Sequence, residues 1–310
     1  MRILVTGGAG FIASNIVDAY LKEGHEVIIV DNLFTGKEEN LNKKAKFHRI
    51  DICHPGLEEI FKKEKIELLN HHAAHIDVRR SVENPLFDAQ VNILGSLNLL
   101  ENSVKYGVKK FIFSSSGGVM YGETANMPNP DENTPAGPVS PYGVSKLAVE
   151  KYLHYYSAVR GLNYTVLRYG NVYGPRQDPF GEAGVVAIFS KAMLNNEKVR
   201  IYGDGRQERD FVFVGDVVAA NVLAVNKADG YTLNIGTGRT ASLNELFKKM
   251  KGIASYYGEP VYEEKRAGEL QRSSLNVEMA KKVLGWEPKV ELSSGLALTV
   301  RHFMGVEIES

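Results

Sequence analysis

The sequence has little cysteine, no long apolar run and no net charge. Cys53 is its single cysteine among 310 residues, so no disulfide can form within the chain, and a reducing cytoplasm is the expected compartment. No apolar stretch approaches the roughly 20 residues that a membrane-spanning helix needs. The start, Met1 to Ile12, has the apolar look of a secretion signal, but glycines between Gly7 and Gly10 interrupt it and no cleavage pattern follows, so no signal is expected. Lys and Arg total 37 against 37 Asp and Glu. That balance supplies no global field to draw nucleic acid or anionic lipid, and neither is expected as a partner. Internal repeats, low-complexity tracts and charge blocks are also missing. What remains is 44% hydrophobic and 24% charged. This is an ordinary globular composition, long enough for one large α/β domain and a smaller companion.

Short β-branched runs alternate with helical patterns through the first half. Ile3–Val5, Val27–Val30, Phe47–Ile50, Glu67–Leu69 and Phe111–Phe113 read as strands; Phe11–Glu23, Leu57–Lys65 and Leu86–Tyr106 read as helices. Tyr142–Arg160 reads as a further helix before a strand at Tyr164–Arg168. The alternation predicts βαβ units and a doubly wound parallel sheet covered on both faces. After about residue 170 loops lengthen. Helices are predicted at Val185–Leu194, Asp216–Val225, Leu243–Ala254 and Leu292–Phe303, with short strands near Val199–Tyr202, Phe211–Val214 and Thr232–Ile235. The expected division is a dinucleotide-binding domain over 1–170, with a returning segment at about 210–238, and a smaller α/β domain from 171–209 and 239–310.

Val5-Thr6-Gly7-Gly8-Ala9-Gly10-Phe11-Ile12-Ala13 joins the first strand to the first helix. Gly7 permits the tight turn, Gly10 lets the backbone approach a pyrophosphate, and Ala13 allows close helix–strand packing, while the helix's unpaired amides face the phosphates. Asp31 ends the second strand about 20 residues on, where a carboxylate accepts both ribose hydroxyls and repels a 2′-phosphate, favouring NAD over NADP. Asp51-Ile52, after the third strand, is placed to flank the adenine or is simply an acidic loop.

The second constellation is Tyr142-Gly143-Val144-Ser145-Lys146, preceded by Ser114-Ser115-Ser116 at the end of a strand. Four residues apart on a helix, Tyr142 and Lys146 share a face. The lysine ammonium is expected to favour phenolate and pull the tyrosine down from about 10, with a serine hydroxyl meeting the alcohol or carbonyl being interconverted.

With these motifs the chain resembles the extended short-chain dehydrogenase/reductase superfamily and, more closely, the UDP-glucose (UDP-galactose) 4-epimerases. Asp31-Asn32-Leu33, His72-Ala73-Ala74, Asn92, Arg168 to Arg176 (Arg-Tyr-Gly-Asn-Val-Tyr-Gly-Pro-Arg), Gly203-Asp204-Gly205, Arg209-Asp210-Phe211 and Leu284-Gly285-Trp286 extend the likeness over nearly the whole chain. The resemblance implies bound NAD, lined by Gly7, Gly10, Phe11, Ile12, Asp31, Asn32, Thr35, Gly36, Asp51 and Ile52. Ala73, Ala74, His75, Asn92, Ser114, Tyr142, Lys146 and Tyr169 complete that lining. It implies Tyr142 as the base, Lys146 as the group that lowers its pKa and binds the nicotinamide ribose, and Ser116 at the sugar 4-hydroxyl. The implied reaction moves a proton and a hydride off C4, lets the 4-keto sugar turn, and returns hydride to its other face. Asn171 and Arg209 would contact the diphosphate, Tyr202 the uracil, Arg266 the diphosphate and Glu269 the uridine ribose, through the segment Arg266-Ala267-Gly268-Glu269. Val185 and Ser273 complete the substrate set, and the small Ser273 leaves room for an N-acetyl group. A homodimer is implied through Leu86–Tyr106 and Tyr142–Arg160, packed as a four-helix bundle.

The chain departs from the pattern at three points. Ala13 replaces the commoner third glycine. Gly117-Gly118 puts one extra residue before Tyr121-Gly122, leaving Ser115 and Ser116 both open as the reacting hydroxyl. Gly117 also stands where dehydratases and decarboxylases of the superfamily carry an acid, and Asn171 where glucuronate epimerases tend to have threonine. No metal site is expected: His71 and His72 end a strand on opposite faces, and no ligand set joins them to His75. Cys53 reads as packing, and Tyr152, Tyr155 and Tyr156 as core or interface. Two other functions stay open: a nucleotide-sugar reductase or dehydrogenase with net redox change, and a non-catalytic dinucleotide sensor.

Overall fold

The structure, a computed structural model, describes residues 1–306 except 125, 128, 181–183 and 267–268. Six strands alternate with helices: β1 (Arg2–Thr6), β2 (Glu26–Asp31), β3 (Lys46–Arg49), β4 (Leu68–His71), β5 (Lys110–Ser116) and β6 (Asn163–Tyr169). A returning strand, Tyr231–Ile235, pairs with β6, giving a seven-stranded sheet in the order returning strand–β6–β5–β4–β1–β2–β3. Every pairing in it is parallel. The order reverses at β1, which lies between β2 and β4, so a crevice opens beyond the carboxyl ends of those strands.

Alternation along each strand builds both layers. Ile3 and Val5 of β1 pack with Ile16, Val17 and Tyr20 of α1 (Phe11–Lys22) and with Val217, Ala220 and Ala224 of the helix Val214–Ala224. Leu4 faces the other way, into a cluster with Phe61, Leu99, Leu100, Val149 and Leu153. Those side chains come from α2 (Glu58–Glu64), α5 (Gly95–Lys105) and α7 (Pro141–Arg160). A third cluster, with Tyr173, Phe189, Ile201, Phe247, Met250 and Leu296, lies within the later part of the chain. Among the described residues no helix is long and apolar enough to cross a membrane.

The bounds of α7 follow from its caps: the Ser140 side chain accepts from the Gly143 N–H at 3.2 Å, Pro141 opens the first turn, and Gly161 ends it in the left-handed region. The predicted helix over Leu86–Tyr106 is interrupted. It runs as α4 (Pro85–Ala89), a π turn over Gln90–Leu94, and then α5. The Ser96 hydroxyl donates to the Asn92 carbonyl at 2.6 Å, giving that carbonyl a side-chain partner where the ladder widens. Two short helices were not legible in the pattern, α3 (Val78–Glu83) and α6 (Gly117–Met120). α6 fills the stretch between Ser116 and Tyr121.

Candidate active site

At the crevice, Gly7 turns the chain with φ +70°, and a Cβ there would lie 2.7 Å from the Ala73 backbone nitrogen. Only glycine lets β1 turn this close to the segment leaving β4. Gly10 caps α1 without any side-chain hydrogen bond, so the first amides of the helix, at Phe11 and Ile12, have no side-chain cap at the N-cap position. The Asp31 carboxylate is oriented by the N–H groups of Ala9 (3.0 Å) and Leu33 (2.8 Å). Gly36 keeps the space beside it open, since a Cβ there would come within 2.8 Å of Asp31 Oδ1. Asn32 donates to Asp51 at 2.8 Å, Ile52 is buried and Thr35 is exposed. These features fit a dinucleotide: an uncapped helix end for the pyrophosphate and a fixed carboxylate for a ribose.

On the far side of β4, Ala73 donates to Thr6 Oγ1 at 3.2 Å. His75 is gripped at both backbone groups by the Asn92 amide, at 2.8 and 2.9 Å. His71 and His72 do point apart: His71 bonds Thr6 and Ser96, whereas His72 stacks on Tyr169. Burial drives His72 down to about 3, with the Lys146 charge adding to it. The Tyr169 hydroxyl is committed inside the protein, to Asn221 at 2.8 Å and His72 at 3.1 Å. Cys53 is half-buried and its thiol is pushed up to about 12, by burial first and then by Asp51.

The reacting groups meet where β5 ends. Ser115 and Ser116 take opposite directions, as neighbours on a strand must. Ser115 is buried and donates to Glu150 at 2.6 Å, inside a network in which Arg168 grips both Glu150 oxygens (3.0 and 2.6 Å) and donates to Tyr121 at 2.7 Å. Ser116 is the serine that acts on the Tyr142 phenol, favouring its ionised form. Lys146 Nζ donates to the Ser114 carbonyl at 2.8 Å and sits 5.7 Å from the Tyr142 ring centroid and 4.8 Å from that of Phe113.

One expectation is corrected here. The phenol is not drawn below its ordinary value by Lys146. Burial pushes it well above the tyrosine range, the Asp88 carboxylate adds to that, and the Ser116 hydroxyl opposes it. Lys146 itself is pushed down to about 8 by burial, against the raising charges of Asp88 and Glu150. The physical reason is geometric: the ammonium's hydrogen bond goes to a backbone carbonyl rather than to the phenol oxygen.

Next to Ser116, Gly118 lies among polar groups. A Cβ built on it would stand 3.6 Å from Asn171 Oδ1, 3.8 Å from Ser116 Oγ and 4.0 Å from Ser273 Oγ, so these three polar groups surround one spot. Further out, Arg209 faces Glu269 at 3.5 Å, and burial lowers its pKa. Glu269 Oε2 is buried with no hydrogen-bond partner among the described residues, an acceptor left over for something else. The Arg266 guanidinium lies 3.6 Å over the Tyr202 ring, so these two predicted contacts form one stacked unit. Val185 opens the helix Val185–Leu194 and is half-buried; Ala267 and Gly268 lie outside the described residues.

The sequence reading missed Asp88, a fully buried carboxylate, and the Glu150–Arg168 pair beneath the site. The available signal was helical spacing: Asp88 is four residues before Asn92, and Glu150 four after Lys146.

The profile of the NAD dependent epimerase/dehydratase family matches residues 3–236. The chain belongs to that family. A UDP-glucose 4-epimerase of Mycolicibacterium smegmatis is 44% identical over 98% of this chain and 98% of its own length. Among solved structures, the Thermotoga maritima UDP-glucose 4-epimerase with UDP-glucose superposes with a TM-score of 0.97 at 53% identity, covering 98% of this chain and 99% of that one. The Thermus thermophilus UDP-glucose 4-epimerase in complex with NAD gives 0.95 at 45% identity, with 98% and 99% coverage.

Proposed function

We infer that the chain catalyses NAD-dependent epimerisation at C4 of a UDP-hexose, the UDP-glucose/UDP-galactose pair. The observation that carries this reading is the Tyr142 phenol, beside Lys146 and acted on by Ser116 at the carboxyl ends of the parallel strands, with Gly118 bringing Ser116, Asn171 and Ser273 together. Bound NAD+ supplies the hydride acceptor for C4 and a cationic ring that stabilises a nearby phenolate. Tyr142 takes the proton from the 4-hydroxyl and returns it after the sugar has turned, and Ser116 orients that oxygen. Lys146 provides a positive charge and its remaining N–H donors for a ribose. Asn171, Arg209 and the Tyr202–Arg266 stack hold the uridine diphosphate, and Glu269 accepts from the ribose. With the nucleotide held and the hexose facing only small groups at Gly118 and Ser273, the sugar is free to rotate.

Dehydration and decarboxylation are disfavoured because the residue after Ser116 is Gly117, which has no acid to offer, and a Cβ there would press on Leu275 at 2.7 Å. We also assign 1–170 with 210–238 to cofactor binding, and 171–209 with 239–310 to the UDP-sugar. The enzyme works in the cytoplasm as a homodimer. Supporting the dimer, Leu86 on α4 (83% exposed), Leu94 at the end of the π turn (58%) and Tyr152 and Tyr155 on α7 are exposed.

The test is incubation with a panel of UDP-sugars, without added cofactor, followed by product separation. UDP-galactose and UDP-glucose should interconvert, and the small Ser273 predicts that UDP-N-acetylglucosamine turns over too. Interconversion of neither pair, or release of reduced cofactor in step with product, would overturn the reading.

A further inference from the structure

We propose that Asp88 is a positioning residue for the Tyr142–Lys146 pair: its buried carboxylate clamps the catalytic helix through Ser145, fixes Asn92, and places a negative charge at the turn that carries the pair. This rests on the reading of Tyr142 as the base.

A fully buried carboxylate is costly unless its oxygens are satisfied. Asp88 has no exposed surface, and both oxygens are used. Oδ2 accepts from the Ser145 hydroxyl at 2.5 Å, a short charge-assisted bond, and Oδ1 accepts from the Asn92 amide at 2.8 Å. Ser145 lies on α7 between Tyr142 and Lys146, so the first bond grips the turn that carries both. Asn92 lies on the π turn and holds both backbone groups of His75, at the end of the segment leaving β4. One carboxylate thereby ties α7, the π turn and the His71–His75 segment together.

The Asp88 charge is left without a full countercharge. The nearest basic atom to it is His75 Nδ1 at 3.9 Å, which is itself buried without a hydrogen-bond partner among the described residues. The other titratable groups around the pair are Glu150 on α7, which is paired with Arg168, and His71 and His72 at the end of β4. Asp88 raises both members of the pair, holding the phenol protonated and the ammonium charged. Removing its charge moves both ionisations the same way, towards lower pH.

The test compares Asp88→Asn, nearly isosteric but uncharged, with Ser145→Ala, which cuts the clamp and keeps the charge. In Asp88→Asn both limbs of the pH–activity profile should move down by about one unit. In Ser145→Ala the limbs should stay in place while kcat falls about tenfold with the sugar KM unchanged. The readout independent of any sugar is the ionisation of Tyr142 in NAD-loaded holoenzyme, followed by NMR of 13Cζ-labelled tyrosine and assigned with Tyr142→Phe. Its midpoint should fall in Asp88→Asn. An unmoved midpoint overturns the proposal whatever substrate the enzyme takes, and a wild-type kcat in Ser145→Ala overturns the clamp. A shifted midpoint in an enzyme that epimerises nothing would instead leave the Asp88 assignment standing and reject the function.

Discussion

Tyr142 and Lys146 sit in a place that opposes the ionisation each needs. Burial holds the phenol protonated and pushes the lysine down to about 8. A positive ring beside the phenol would favour phenolate, which would tie base strength to cofactor loading. Replacing Tyr142 by Phe keeps the ring and removes the proton acceptor. It should lower kcat at least about a hundredfold while the protein retains its NAD, as judged by cofactor content after denaturation. The lysine has a separate consequence for stability. Its folded pKa lies below the unfolded value of about 10.5, so the unfolded chain binds more protons between pH 8 and 10.5. The burial cost is full below pH 8 and is relieved as pH rises to 10.5. Cofactor-free Lys146→Met should therefore gain on the parent at pH 7 by on the order of 2–3 kcal/mol in urea melts, with the gain shrinking across that window. A difference that stays flat with pH would contradict this.

At the scale of elements, the junction of β5 with α6 decides where the reacting serine points. Gly117 starts α6, and a Cβ there would press on both Leu275 methyls at 2.7 Å. Leu275 is itself buried with Met120 and Tyr121. Gly117→Ala should cost about 1–3 kcal/mol in thermal or urea unfolding and lower kcat by shifting Ser116. Adding Leu275→Ala should recover part of the stability, and strict additivity of the two losses would contradict the contact. This junction also shows how far the sequence could be read. The β1–α1 turn, Asp31 and the pair on α7 were legible because each answers a local demand of sterics or helical spacing. α6 was not, because a Gly-Gly start has poor helix propensity and the element depends on packing against Leu275, far along the chain. Nor was the π turn, which accompanies a hydroxyl–carbonyl bond that leaves no trace in hydrophobic period. The same holds for the pairing of Glu208–Arg209 with Ala241–Ser242 and Arg272–Ser273. Two-residue strands have no alternation to read, yet they bring Arg209 and Ser273 to the site.

Over the whole molecule, the sheet's switch point supplies a rigid cofactor face, while the later segments supply the groups assigned to the nucleotide. The returning strand Tyr231–Ile235 joins the two parts of the chain in one sheet, and Asp210 reinforces the join. Its carboxylate accepts from Thr237 N–H and Oγ1, both at 2.7 Å, and from Gly238 N–H at 3.0 Å. The outer surface of α4–α5 and α7 exposes Leu86, Leu94, Val144 and Val159, and a second copy of the chain would cover them. Sedimentation at micromolar concentration should give a dimer, which Leu94→Glu combined with Val159→Glu should dissociate; a monomeric parent would contradict the assembly. In the proposed reaction one phenol and one retained cofactor invert C4 without loss of its hydrogen. The most direct measurement uses UDP-galactose deuterated at C4, incubated without added cofactor and read by NMR of the product. The account predicts UDP-glucose that keeps the deuterium at C4, formed by the parent and not by Tyr142→Phe. Product with hydrogen from solvent at C4, or equal conversion by Tyr142→Phe, would contradict it.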